Sequence, residues 1–244
     1  MLPPPHPNIR DPKFQQQLHV HAKVHDDIAK NYDDSISWEE FVMGLGNKRR
    51  DLVEMARGKT LEIAAGTARN IDYYRNPPTT HVTMTDVSKN MLEVAYQKLQ
   101  HTKSHSSRKD IPEFKLAVAD ASSLPFKDDS FDTVIDCFGL CSMEAPVDSL
   151  KEMARVVKPD GRILLLEHGT SGLSPFISDA LDKTAEGHAR KWGCWYNREI
   201  EGLVREAGLT TVHLKKYHFG TTYMIVAAKS AMLGNGKSTT DQQV

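Results

Sequence analysis

The sequence predicts an α/β fold: a doubly wound, mostly parallel, seven-stranded sheet that ends in an antiparallel C-terminal hairpin. Three observations carry this. Strand-length apolar runs alternate with helix-length amphipathic stretches between residues 60 and 167, as in repeated strand–helix–strand units. The run Ile163-Leu164-Leu165-Leu166 is apolar on both faces, as a central parallel strand covered on both sides must be. Two further strands, 210–217 and 222–228, are separated by a turn at Phe219-Gly220. That gap is too short for a crossover helix, so the two pair antiparallel.

Residues 1–12 are proline-rich and expected to be extended or disordered. Residues 13–57 read as N-terminal helices, one up to about residue 34 with Phe14, Leu18, Val20 and Ile28 as anchors, and one over 38–57. The alternation follows: strand 60–64, helix 69–75, strand 81–86, helix 89–100, strands 113–119 and 131–138, helix 147–157 and strand 161–167. Ser88 is placed to cap the helix that carries Met91, Leu92, Ala95 and Leu99. Val147, Leu150, Met153, Ala154 and Val157 line one face of helix 147–157, and Pro159-Asp160-Gly161 turns the chain into the next strand. Residues 173–197 fall outside the alternation and read as a lid, a helix over 197–207 stops at Gly208, and the polar tail 230–244 is expected to be disordered. The main domain is thus 58–229.

Composition narrows the function classes. With 31 Lys+Arg against 32 Asp+Glu in 244 residues, and a formal charge of −1, no overall field draws the chain to nucleic acid or an anionic membrane. Three cysteines are too few for a disulfide framework. No apolar run reaches the roughly eighteen residues of a membrane span, and the start shows neither a signal-peptide core nor a transit-peptide pattern.

The chemistry is concentrated at predicted strand ends. In Glu62-Ile63-Ala64-Ala65-Gly66-Thr67-Ala68, small residues let a backbone turn approach a ligand. Asp86 closes the next strand, where a carboxylate accepts hydrogen bonds from ribose hydroxyls. His21 and His25 stand one helical turn apart, a spacing more typical of a solvated face than of a metal site, and no compact cluster of metal ligands is evident.

Several segments share a family signature. Phe131 to Cys141 resembles the strand-four motif of class I S-adenosylmethionine-dependent methyltransferases, and Val156 to Leu164 resembles the motif leading into strand five. Asp120-Ala121 with Leu124-Pro125-Phe126 looks like the corresponding segment of the ubiquinone/menaquinone-biosynthesis methyltransferases. Gly66-Thr67-Ala68-Arg69-Asn70, Phe138-Gly139-Leu140-Cys141-Ser142, Leu166-Glu167-His168-Gly169 and Trp192-Gly193-Cys194 resemble a fungal group of mitochondrial inner-membrane methyltransferase-like proteins. Animal thiol methyltransferase-like proteins are more distant relatives.

The resemblance implies a Rossmann-like methyltransferase fold and S-adenosyl-L-methionine as cofactor, with S-adenosyl-L-homocysteine as product. Glu62, Gly66 and Thr67 match positions facing the methionine moiety, Asp86 the ribose acid, and Asp120-Ala121 the pair beside the adenine. Cys137 and Phe138 match the strand-four end, and Ala64 and Val87 complete the expected cofactor set. Ala64 and Ala68 stand where the superfamily usually has glycine: alanine fits an ordinary negative φ and is strained by a positive one. His168, at the end of strand five, is the first choice for a general base, and the alternative is that the acceptor ionises unaided. Trp38, Trp192, Trp195, Tyr196 and His218 are expected in some combination to wall an acceptor pocket. The acceptor is expected to be a small molecule, fairly apolar: a thiol, a phenol or a quinone-like ring. A degenerate or cofactor-binding methyltransferase fold acting as an assembly or interaction factor is the alternative. No nucleic-acid partner is expected, the oligomeric state is open, and the location implied by the resemblance is mitochondrial, with cytoplasmic as the alternative.

Overall fold

The computed structural model describes residues 23–75, 77–105 and 111–230. Seven strands form one sheet in the order β3-β2-β1-β4-β5-β7-β6. They are β1 (Gly58–Ile63), β2 (Thr79–Asp86), β3 (Glu113–Val118), β4 (Phe131–Cys137), β5 (Val157–His168), β6 (Leu209–Tyr217) and β7 (Thr222–Lys229). The first five pair in parallel, while β7 runs antiparallel to both β5 and β6. The chain winds outward through β2 and β3, then returns to place β4 on the other side of β1. The strand order therefore reverses beside β1, and a crevice opens at the carboxyl ends of β1 and β4.

Alternation along the strands sends residues to two cores. Leu61, Ile63, Val134, Ile163 and Leu165 pack against helices α4 (Pro146–Val156) and α6 (Ile200–Glu206) through Leu150, Met153, Ile200 and Val204. On the other face Val82, Met84, Ile135, Leu164 and Leu166 meet α2 (Leu45–Val53) and α3 (Lys89–His105) through Leu52, Val53, Ala95 and Leu99. Ser88 caps α3 as expected, its Oγ accepting from the Met91 N–H at 3.1 Å. Two further helices, α1 (Tyr32–Val42) and α5 (Pro175–Trp192), lie outside this sandwich.

The structure corrects four expectations. The single helix over 38–57 is two, α1 and α2, because Gly44 takes φ 62° between them, a value that glycine adopts without strain. The helix over 69–75 is a set of turns followed by one 3₁₀ turn, Ile71–Tyr73; Pro77 and Pro78 bar helical extension toward β2. Residues 159–161 do not precede strand five but bulge from it: Phe131 to Thr133 in β4 spans Val157 to Arg162 in β5. The helix over 197–207 begins only at Ile200. Residues 1–22 and 231–244 lie outside the described residues, and with them the expectations for His21, the N-terminal stretch and the tail.

Candidate active site

At the reversal point lies a cavity of about 430 Å³, within the range of small-molecule sites. Glu62, Ala64, Gly66, Thr67, Asp86, Val87, Asp120, Ala121, Cys137, Phe138 and His168 all line it. These residues are far apart in sequence, and the parallel register brings their strand ends to one edge.

Asp86 organises one part of the cavity. Its Oδ2 accepts from the Gly66 N–H and its Oδ1 from the Ser88 N–H, each at 2.8 Å. One carboxylate thus joins the β1 loop to the start of α3. Burial pushes its pKa up, while those two N–H groups and His25 oppose the shift. A carboxylate retains further acceptor sites, so two backbone bonds leave capacity for a diol. Asp120 is braced in the same manner by the Ser122 N–H at 2.8 Å.

Glu62 forms the floor. Asn70 Nδ2 donates to its Oε1 at 2.9 Å and the Tyr74 hydroxyl donates to its Oε2 at 2.6 Å. Burial outweighs both bonds and lifts its pKa to about 7, so the group sits near half-ionisation at neutral pH and favours a cation beside it.

A charged frame then ties the N-terminal helices to the β1 loop. Arg49 donates through Nη2 to Glu40 Oε1 at 2.8 Å and through Nη1 to Asn70 Oδ1 at 3.3 Å. Arg69 donates to Glu40 Oε2 at 2.6 Å and to Asp33 at 3.0 Å, and Asp33 also takes the Thr67 hydroxyl at 2.6 Å and an ion pair from Lys98. Burial raises the Glu40 pKa, but Arg49 and Arg69 more than reverse it and hold the carboxyl below its ordinary range. Tyr32, on the same wall, is pushed by burial up to about 12 and stays neutral.

The loop alanines resolve the question that the sequence leaves open. Ala64 has φ 46° and Ala68 φ 60°, both left-handed, as does Gly66 at 53°. The alanines are therefore strained where glycine would not be. Ala64 also explains Gly139: a Cβ there would come within 2.6 Å of the Ala64 methyl. Phe138 is left-handed too, at 64°. Its ring is held between the Arg49 guanidinium, 4.8 Å from the centroid, and the His168 ring at 4.3 Å.

His168 borders the far end of the cavity, together with Cys141, Cys194, Met43, Met143 and Trp192. Of the five residues expected to wall an acceptor pocket, Trp192 alone lines the cavity. Trp38 is 75% exposed, Trp195 turns partly to solvent, and Tyr196 packs on His188 at 4.3 Å. His218 instead braces the cover, Nε2 lying 2.9 Å from the Met43 carbonyl and Nδ1 2.9 Å from the Thr222 hydroxyl.

Sequence reading missed Arg49, Glu40, Asn70 and Tyr74. Arg49 falls in Asn47-Lys48-Arg49-Arg50-Asp51, a run that looks like a solvated face. It also missed the cluster Cys141, His168 and Cys194, whose donor atoms lie within 4.8 Å of one another.

Comparison with known proteins agrees with this arrangement. A model of the methyltransferase domain matches residues 61–165. The chain is 35% identical over 218 residues to "Methyltransferase OMS1, mitochondrial" of Saccharomyces cerevisiae, covering 82% of this chain and 44% of that one. It is 32% identical over 182 residues to the ubiquinone/menaquinone biosynthesis C-methyltransferase UbiE of Hahella chejuensis, covering 70% of this chain and 68% of that one. The chain thus spans less than half the length of the yeast relative. In fold it is similar to a SAM-dependent methyltransferase of Thermotoga maritima, with TM-score 0.61 and 18% identity over 86% of this chain and all of the other. The matched domain, the relatives and the sheet order together place this chain among the S-adenosylmethionine-dependent methyltransferases.

Proposed function

We propose that this chain transfers the methyl group of S-adenosylmethionine to a small, fairly apolar acceptor, a thiol, a phenol or a quinone-like ring, by in-line displacement. One observation carries the reading: a single cavity is lined both by the carboxylate-bearing strand ends and by Ile36, Met43 and Trp192 of the N-terminal helices and α5. The cofactor fits the donor set. Asp86 offers acceptor sites to the ribose, Asp120-Ala121 border the adenine, and Glu62 favours the cationic amino-acid portion. The cofactor supplies an electrophilic methyl group on a sulfonium. The chain supplies alignment and exclusion of water, which together account for much of the barrier reduction in such a displacement. The acceptor enters between Met43, Met143 and Trp192, and its proton leaves at the His168 end of the cavity. The name of the UbiE relative favours the quinone-like member of the acceptor set, and that of the yeast relative favours a mitochondrial setting.

The strained alanines favour a second reading, a fold that binds cofactor weakly and serves as an assembly factor. Titration calorimetry with S-adenosylmethionine and S-adenosylhomocysteine, followed by transfer of labelled methyl to a demethylated quinol, a phenol and an alkyl thiol, separates the two. Micromolar binding with label in one acceptor class supports the transferase. Binding without transfer to any of them supports the second reading, and absence of binding overturns the transferase.

A further inference from the structure

We propose that Cys141, His168 and Cys194 form a Zn²⁺ site whose fourth coordination position opens into the cavity. The three donors come from separate elements: the loop after β4, the end of β5, and the residues just past α5. Their ligand atoms lie within 4.8 Å of one another, and the two sulfurs are 2.9 Å apart. All three residues border the cavity. Two thiols and an imidazole are a borderline-soft set that selects zinc over magnesium or calcium. Three protein ligands with one open position are the form that reactive zinc sites take.

The geometry is close to what the ion needs. Tetrahedral zinc with Zn–S near 2.3 Å sets its sulfurs about 3.8 Å apart, so the pair has to open by about 1 Å from its 2.9 Å separation. Each thiol makes only weak contacts of its own; Cys141 donates to the Phe138 carbonyl at 3.4 Å. The two loops are held together independently of sulfur, the Trp195 N–H donating to the Cys141 carbonyl at 2.8 Å and His188 Nδ1 lying 3.0 Å from the Cys194 carbonyl. The frame is preorganised and the ligand atoms remain free to turn. A disulfide would satisfy the two sulfurs but leaves the third donor without a purpose.

Binding releases the two thiol protons to solvent, so two thiolates, a neutral imidazole and Zn²⁺ give a site of zero net charge. The consequence for methyl transfer rests on the transferase reading. A thiol or hydroxyl acceptor at the open position loses its proton to solvent and is held as an anion facing the cavity. The His168 lone pair then serves the metal, which replaces a free imidazole base.

The test uses the full chain, purified under a phosphine reductant without chelator, equilibrated with Zn²⁺ and analysed by plasma mass spectrometry. One zinc per chain is expected, with Cys141 and Cys194 protected from a thiol reagent. Co²⁺ in its place should give intense thiolate-to-cobalt absorption, reduced at least tenfold by Cys194→Ser and by His168→Gln. If either variant misfolds, the wild-type zinc content and thiol protection still decide. No bound metal with unchanged thiol reactivity overturns the proposal. So does an unreduced chain lighter by two hydrogens, which marks a Cys141–Cys194 disulfide. Calorimetry with S-adenosylmethionine on the zinc-free chain reports on the cofactor reading separately.

Discussion

The strand edge and its cover are built on different physics. At the edge, the groups around the cavity are positioned by neighbouring backbone: Asp86 and Asp120 are fixed by N–H groups within or beside their own loops. The cover is attached through side chains. Asp33 and Glu40 receive Arg49, Arg69, Thr67 and Lys98, while Trp38, Phe41, Leu173 and Phe176 point to solvent at 69–81% exposure. An edge held by register is rigid, whereas α1, joined to that edge through side-chain ion pairs, can part from it without unfolding the sheet. That difference suits an enzyme that admits an acceptor after its cofactor.

The contrast can be broken most severely at Glu40. Glu40→Ala leaves Arg49 buried with no carboxylate partner, and such a loss costs about 3–5 kcal/mol. Urea unfolding should show a drop of that order, concentrated in protection of α1 and α2 by hydrogen exchange. A uniform loss across the sheet would mean that cover and edge are one cooperative unit.

Glu62 probes the edge by pH. Its folded pKa, about 7, lies above the ordinary 4.5, so the folded state holds the proton more tightly. The associated stability is present in full below pH 4.5 and is lost as pH rises through 7, up to about 3 kcal/mol. Glu62→Gln should flatten that decline in thermal or urea midpoints. The cationic cofactor favours the ionised form, so wild-type binding near pH 6.5 should release protons, measured as a dependence of calorimetric heat on buffer ionisation enthalpy.

On the cofactor reading, Asp86→Ala removes two hydrogen bonds to a charged acceptor from the ribose and also frees the Gly66 and Ser88 N–H groups. Charge-assisted bonds contribute about 1.5–3 kcal/mol each, so affinity for S-adenosylhomocysteine should fall about a hundredfold or more in calorimetry. The same variant should leave hydrogen exchange of the cover unchanged.

Ala68→Gly is the mildest perturbation. At φ 60° the alanine carries about 1–2 kcal/mol of left-handed strain, partly offset because glycine gains entropy when unfolded. A net gain of about 0.5–1 kcal/mol in stability and less than a tenfold change in cofactor affinity are expected. Restoration of binding to a wild type that lacks it would favour the assembly-factor reading.

Much of the edge was legible in the residues because its determinants are local. A strand end followed by small residues, or by an acid at fixed spacing, needs only the parallel register to arrive at the crevice, and all eleven expected site residues border one cavity. The elements that failed were those where local pattern and context disagree. The segment 69–75 has helical spacing, but its polar residues are taken up by Glu62, Glu40 and Asp33.

The alternation of strands and helices, the antiparallel hairpin, the Ser88 cap and the position of acids at strand ends were therefore legible in the sequence, since periodicity and turn chemistry act over a few residues. Three things waited for the tertiary structure. The sign of φ at Ala64 and Ala68 depends on what the loop must pass, including Gly139. The partner of Arg49 is chosen by how α1 and α2 lie on the β1 loop. The meeting of Cys141, His168 and Cys194 depends on where α5 ends. Each is a contact between segments that are distant in the chain, and no local pattern encodes such a distance.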